Sequence, residues 1–178
     1  RLEPGAEPLL ADTLDCLGHQ ILTSWQLDVV TTLPAPAGLA DVACVGWQTL
    51  PSMEESKTAI DSLVSRRGRP WNMELPAGAR LDPLLLWRLA HEIRENPEAV
   101  ALFVDDDCHD DHGTRFCPRF KPGVNEARMR GSDLAGPLCV RSDAWLGSGG
   151  ASQRTGSPWF SQLLRVADKF GWSSIHHT

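Results

Sequence analysis

The chain has 178 residues, 42% hydrophobic and 22% charged, which fits a folded globular protein and excludes a disordered tail or a fibrous protein. Seventeen Lys and Arg against 23 Asp and Glu leave a net charge of −6, so bulk charge offers no attraction for nucleic acid or anionic lipid. This length predicts a single domain over residues 1–178, and no apolar run approaches the ~18 residues that span a bilayer.

The opening Arg1-Leu2-Glu3-Pro4-Gly5 lacks the apolar centre of a signal peptide, and the absence of an initial Met is compatible with sequence upstream. Leu9, Leu10, Thr13, Leu14, Leu17 and Ile21 then recur at helical spacing, with Pro8 near the start, and predict a helix closing near Thr23-Ser24. Alternation from Trp25 to Thr31 predicts a strand, and Asp41 to Trp47 a second, across the Pro-rich connector Leu33 to Gly38. A helix from Ser52 to Arg67 opens on a capping box, Ser52 with Glu55, and ends at Gly68. Trp71 to Leu75 reads as a short strand before Pro76-Ala-Gly-Ala79, and Asp82-Pro83 starts an amphipathic helix to about Asn96. Val100 to Val104 is the most apolar strand. It delivers Asp105, Asp106 and Asp107 at its carboxyl end, the edge where open α/β sheets bind ligands. Residues 108–130 read as a long loop of functional length, Leu138 to Arg141 as a strand, and 147–152 as a flexible hinge. Pro158 to Phe170 predicts a helix, and Trp172 to His177 the start of a strand. Helices alternating with strands give an α/β fold.

Three consecutive carboxylates repel unless water, a cation or basic groups compensate. Magnesium or manganese is the natural partner of oxygen ligands placed this way, with Asp107 the ligand candidate, while a solvated acidic loop is the plainer alternative. Arg115, Arg119 and Lys121 form a basic interval close by, suited to a phosphate or diphosphate; charge balance against Asp105 to Asp111 is the competing reading. Cys108, His109, His112 and Cys117 are nitrogen and sulfur donors at short spacing, a zinc candidate without a standard paired pattern. Five cysteines, an odd number at irregular spacings, read as reduced thiols and point to the cytosol. In a strand, His176 and His177 would face opposite sides.

Leu102-Phe-Val-Asp-Asp-Asp107, Gly113-Thr-Arg115, Pro118-Arg-Phe-Lys-Pro-Gly-Val-Asn125 and Gly136-Pro-Leu-Cys-Val-Arg141, in that order, resemble the central segment of family 2 glycosyltransferases that make bacterial surface polysaccharides, including rhamnosyltransferase-like enzymes. The resemblance runs from about Leu9 to the end of the chain, and the Phe-Lys-Pro stretch is its specific part. It implies a nucleotide-diphospho-sugar transferase (GT-A) fold, a mainly parallel sheet flanked by helices, with pieces missing at both ends. It also implies a nucleotide-sugar donor, a glycan acceptor, a magnesium or manganese ion, further domains of a longer polypeptide and work at the cytoplasmic face of a membrane. Asp105, Asp106 and Asp107 would lie near donor or metal, and Arg115, Arg119, Lys121 and Asn125 near phosphate or acceptor.

The departures are as informative. The family's acidic pair after the second strand is replaced by Thr31-Thr32, its metal-chelating acidic motif by Pro76-Ala-Gly-Ala79, and its acidic base pair by residues at or near Pro158-Trp159. Without a metal the diphosphate leaving group loses several kcal/mol of charge stabilisation, and a lost base typically costs 10²–10⁴-fold. The alternative function is a non-catalytic scaffold, or a glycan- or partner-binding module of the same fold; a zinc-binding interaction domain is the third.

Overall fold

The computed structural model describes residues 1–39, 41–110, 112–134 and 136–178, and the chain divides into two compact units. The first comprises residues 1–68 and 74–91, the second residues 69–73 and 92–178.

In the first unit, helix α1 (Glu7–Gly18) precedes strand β1 (Leu27–Thr31), strand β2 (Val45–Thr49) and helix α2 (Ser56–Arg67), which comes after a 3₁₀ turn (Met53–Glu55). β1 and β2 pair in parallel, Leu27 opposite Val45 and Thr31 opposite Thr49. Successive strand side chains face opposite sides. Val29 accordingly packs with Leu2 and Leu10, and Val30 with Leu50 and Ala59 of α2. Each such buried Val or Leu side chain contributes about 1.5–3 kcal/mol. Ser52 caps the 3₁₀ turn, its hydroxyl accepting from the Glu54 amide at 3.2 Å, one residue earlier than the capping box predicted. Gly46 has no side chain where Arg67 pairs with Asp28 at 2.5 Å, and a Cβ there would strike both partners. Helix α3 (Leu85–Glu95) spans the division between the units.

The second unit is built on a four-stranded sheet in the order β3 (Trp71–Met73), β7 (Leu138–Arg141), β4 (Ala101–Phe103), β8 (Ile175–His177). β4 pairs in parallel with β8, and β7 runs antiparallel to both its neighbours, so this sheet is mixed. Ala101, Leu102 and Phe103 are completely buried. Helix α6 (Pro158–Phe170) buries Leu163, Val166 and Ala167, and its bounds are those the sequence predicts.

Two stretches differ from the sequence expectation. Residues 108–130, expected as a loop, contain most of a hairpin, β5 (Asp106–His109) with β6 (Arg115–Arg119), and a short helix, α4 (Glu126–Gly131). Opposite charges supply the pairing that β-propensity does not: Asp106 stands across from Arg119 in register. The run 147–152, expected as a flexible hinge, continues from helix α5 (Ser142–Gly147) as a hydrogen-bonded turn with Ser148 and Ala151 buried. Arg165 clamps it, donating to the Ser148 carbonyl at 2.8 Å and the Gly150 carbonyl at 2.7 Å.

Candidate functional site

β4 and β8 run side by side and end together, with Phe103 paired to His177 and the Thr178 amide donating to the Phe103 carbonyl at 3.1 Å. The next polar residue beyond β4 is Asp105, and the His177 ring reaches it: Nε2 lies 2.9 Å from Asp105 Oδ1. The imidazole stacks on the Phe103 ring, centroids 4.9 Å apart. Parallel pairing therefore places a histidine 72 residues downstream against the first aspartate of the acidic run.

Lys121 fixes this end of the sheet. Its backbone amide donates to Asp105 Oδ1 at 2.7 Å. Its ammonium donates to the Val104 carbonyl and to Asp106 Oδ2, the latter at 2.9 Å. The Lys121 side chain is only 1% exposed, so it is a structural cation shielded from ligands. Burial pushes its ammonium below the usual lysine range, opposed by the Asp106 carboxylate. Asp105 is held below the usual carboxylate range, first by the Lys121 amide, with burial opposing and the His177 hydrogen bond assisting. Gly136, at φ +59°, lets the chain pass over the cluster; a Cβ there would lie 2.5 Å from Asp106 Oδ2 and 3.0 Å from Lys121 Nζ.

The remaining candidates are distributed along the hairpin. Arg119 forks onto Asp106, Nε to Oδ1 at 2.5 Å and Nη2 to Oδ2 at 2.7 Å, which raises its own pKa. Arg115 pairs with Asp107 at 2.5 Å on an exposed surface. Asn125 caps α4, accepting from the Arg128 amide at 3.1 Å. Asp106 and Asp107 thus meet three cations, the charge balance that the sequence held open, while Asp105 is held by an amide and an imidazole. Asp110 closes the hairpin loop, accepting from the His112 and Thr114 amides at 2.9 and 2.8 Å; Asp111 lies outside the described residues.

A magnesium or manganese site needs about six oxygen ligands with carboxylate lone pairs to spare. Both oxygens of Asp106 accept from Arg119, Asp107 accepts from Arg115, and Asp105 Oδ1 accepts from Lys121 and His177. Among the described residues no group of three or more His, Cys, Asp or Glu could hold a metal. The donor set therefore does not fit the ion that the resemblance implies, nor the zinc reading of Cys108, His109, His112 and Cys117. All five cysteines are free, and burial pushes the Cys139 thiol up to about 12.

Sequence reasoning left two residues of the site unassigned. His177 was one of two equivalent histidines until its strand was placed: His176 turns to Glu92 at 3.8 Å, and His177 to Asp105. Gly136 stands in the sequence only as the first residue of the Gly136 to Arg141 stretch, with no role of its own.

No family model matches this chain, and no curated protein does. Among solved structures it is similar to S. aureus TarS 1–349, with 13% identity and a TM-score of 0.66, over 97% of this chain and 55% of that one. It is also similar to CMP:2-keto-3-deoxy-manno-octonic acid synthetase complexed with CTP, with 9% identity and a TM-score of 0.54, over 96% and 78% of the two chains. The fold is nucleotide-sugar-transferase-like, of the GT-A type. Within this fold the chain spans about half the length of the TarS piece. Among the described residues no helix is long and apolar enough to cross a membrane.

Proposed function

We propose that this chain is a family 2-like glycosyltransferase domain that uses a nucleotide-activated sugar in the assembly of a bacterial surface polysaccharide or glycoconjugate. The observation that carries this reading is the convergence of Asp105 and His177, 2.9 Å apart, at the carboxyl ends of two adjacent parallel strands. In open α/β sheets ligands bind beyond that edge. The likeness in fold to a synthetase complexed with CTP supports a nucleotide-bearing ligand. The ordered motifs from Leu102 to Arg141, with the Phe120-Lys121-Pro122 stretch at their centre, support sugar transfer.

Thermal melting of the full chain with UDP-glucose, GDP-mannose and dTDP-rhamnose, each with and without manganese, tests it. A donor at ten times its Kd stabilises by about 1.4 kcal/mol, a rise of roughly 3–6 °C for a chain of this size. No rise with any donor contradicts the reading.

One observation favours the alternative, a non-catalytic scaffold or glycan- or partner-binding module of a larger protein. Asp106 and Asp107 are neutralised within their own hairpin, and neither Pro76 to Ala79 nor Pro158-Trp159 offers a carboxylate. On that reading a glycan or a protein partner raises the melting temperature and nucleotide sugars do not.

A further inference from the structure

We infer that His177, oriented by Asp105, is the general base that takes the proton of the attacking hydroxyl, in place of the carboxylate that the sequence lacks near Pro158-Trp159. The inference rests on the nucleotide-sugar reading and adds a residue to it. A carboxylate can only accept, so the 2.9 Å contact requires Asp105 Oδ1 to accept from the Nε2–H of His177. That tautomer leaves the lone pair on Nδ1, and no described residue forms a hydrogen bond there. Three contacts fix the ring: the carboxylate at one nitrogen, the Phe103 face beneath it and the strand pairing with β4. Asp105 is itself held by the Lys121 amide at 2.7 Å, and it stays anionic beside the imidazolium that forms. The pair is also open to a ligand: the Asp105 side chain is 45% exposed and that of His177 22%. Lys121 and Asp106 are the other charges behind it, and Glu92 lies against the neighbouring His176.

In the step assigned to it, the acceptor oxygen forms a bond to the anomeric carbon of the donor. The bond from that carbon to the diphosphate oxygen breaks, and its electron pair leaves with the nucleoside diphosphate. The hydroxyl proton passes to Nδ1 of His177 and then to solvent. With water as acceptor the products are free sugar and nucleoside diphosphate, so the step can be followed without knowing the glycan.

The test measures nucleoside diphosphate release from UDP-glucose, GDP-mannose and dTDP-rhamnose by the full chain, alongside the melting shift each donor produces. His177→Gln keeps a hydrogen-bonding side chain but cannot take the proton; its release rate is expected to fall about 100-fold or more with the donor melting shift retained. In His177→Ala, added imidazole is expected to restore part of the rate, a rescue that a structural role would not show. Release at the wild-type rate by His177→Gln overturns the assignment, as does a folded His177→Ala that imidazole fails to rescue. A wild-type chain that binds a donor without releasing nucleoside diphosphate overturns the base and leaves nucleotide-sugar binding standing. The absence of donor binding removes both.

Discussion

Among the described residues, two parallel strand pairs close in opposite ways. β1 and β2 end on Thr31 and Thr49, and the groups that close them are neutral: Thr31 Oγ1 accepts from the Leu33 amide at 3.2 Å, and Trp47 and Thr49 both donate to the Leu33 carbonyl, at 2.9 and 3.1 Å. β4 and β8 end on Phe103 and His177, and the groups beyond them are charged: Asp105 between an amide and an imidazole, and Asp106 between a buried ammonium and a guanidinium. Hydroxyls and carbonyls can close a strand end without further partners. Carboxylates cannot, and the hairpin β5–β6 with Lys121 supplies the compensation. The difference separates strand ends that finish a fold from one that also keeps a partly exposed carboxylate–imidazole pair at its edge.

The sharpest way to break the charged end is Lys121→Ala. It leaves the Val104 carbonyl and one side of Asp106 without their buried partner, and a loss of about 3 kcal/mol is expected from urea unfolding. Gly136→Ala should cost about 1–3 kcal/mol, because its Cβ would press on Asp106 and its backbone holds φ +59°. Arg67→Ala, which removes a partly exposed ion pair with Asp28 near the start of β1, is expected to cost less than about 1 kcal/mol on the same curves. A result equal to that for Lys121→Ala would erase the contrast between the two strand pairs.

Acid titration sharpens the contrast further. The folded pKa of Asp105 lies below the ordinary aspartate value of 3.8, so the stability it contributes is present above about pH 4. It is lost as pH falls through the lower folded value. Melting temperatures between pH 5 and 2 should decline less steeply in Asp105→Asn than in the wild type; identical slopes would deny Asp105 its partners. The smallest effect belongs to Arg115→Ala, an exposed pair with Asp107, at about 0.5 kcal/mol or less.

How far the sequence foretold this depends on which forces each element uses. α6 was legible to the residue, since Pro158 starts it, Gly171 ends it and Leu163, Val166 and Ala167 mark one face. Residues 142–147 carry no helical signal before the Gly-rich run, and the helix there rests on the burial of Ala144 and Trp145. The hairpin was hidden for a different reason. Asp106 and Asp107 in β5 and Pro118 in β6 are poor strand residues, and the cross-strand pairing of Asp106 with Arg119 compensates for them. Within the site, Asp105 to Asp107 were legible as a group, but their separate fates were not. Those depend on Lys121 being buried and on a histidine brought alongside by sheet order, neither of which has a local signature.

The most direct measurement is an experimental structure of the full chain with the nucleotide sugar that gives the largest melting shift. The account predicts the sugar at the carboxyl ends of β4 and β8, with an Asp105 or His177 side-chain atom within hydrogen-bonding distance, about 3 Å, of the sugar or of the water or acceptor oxygen beside its anomeric carbon. A ligand bound elsewhere, with the Asp105–His177 pair facing solvent alone, would contradict it.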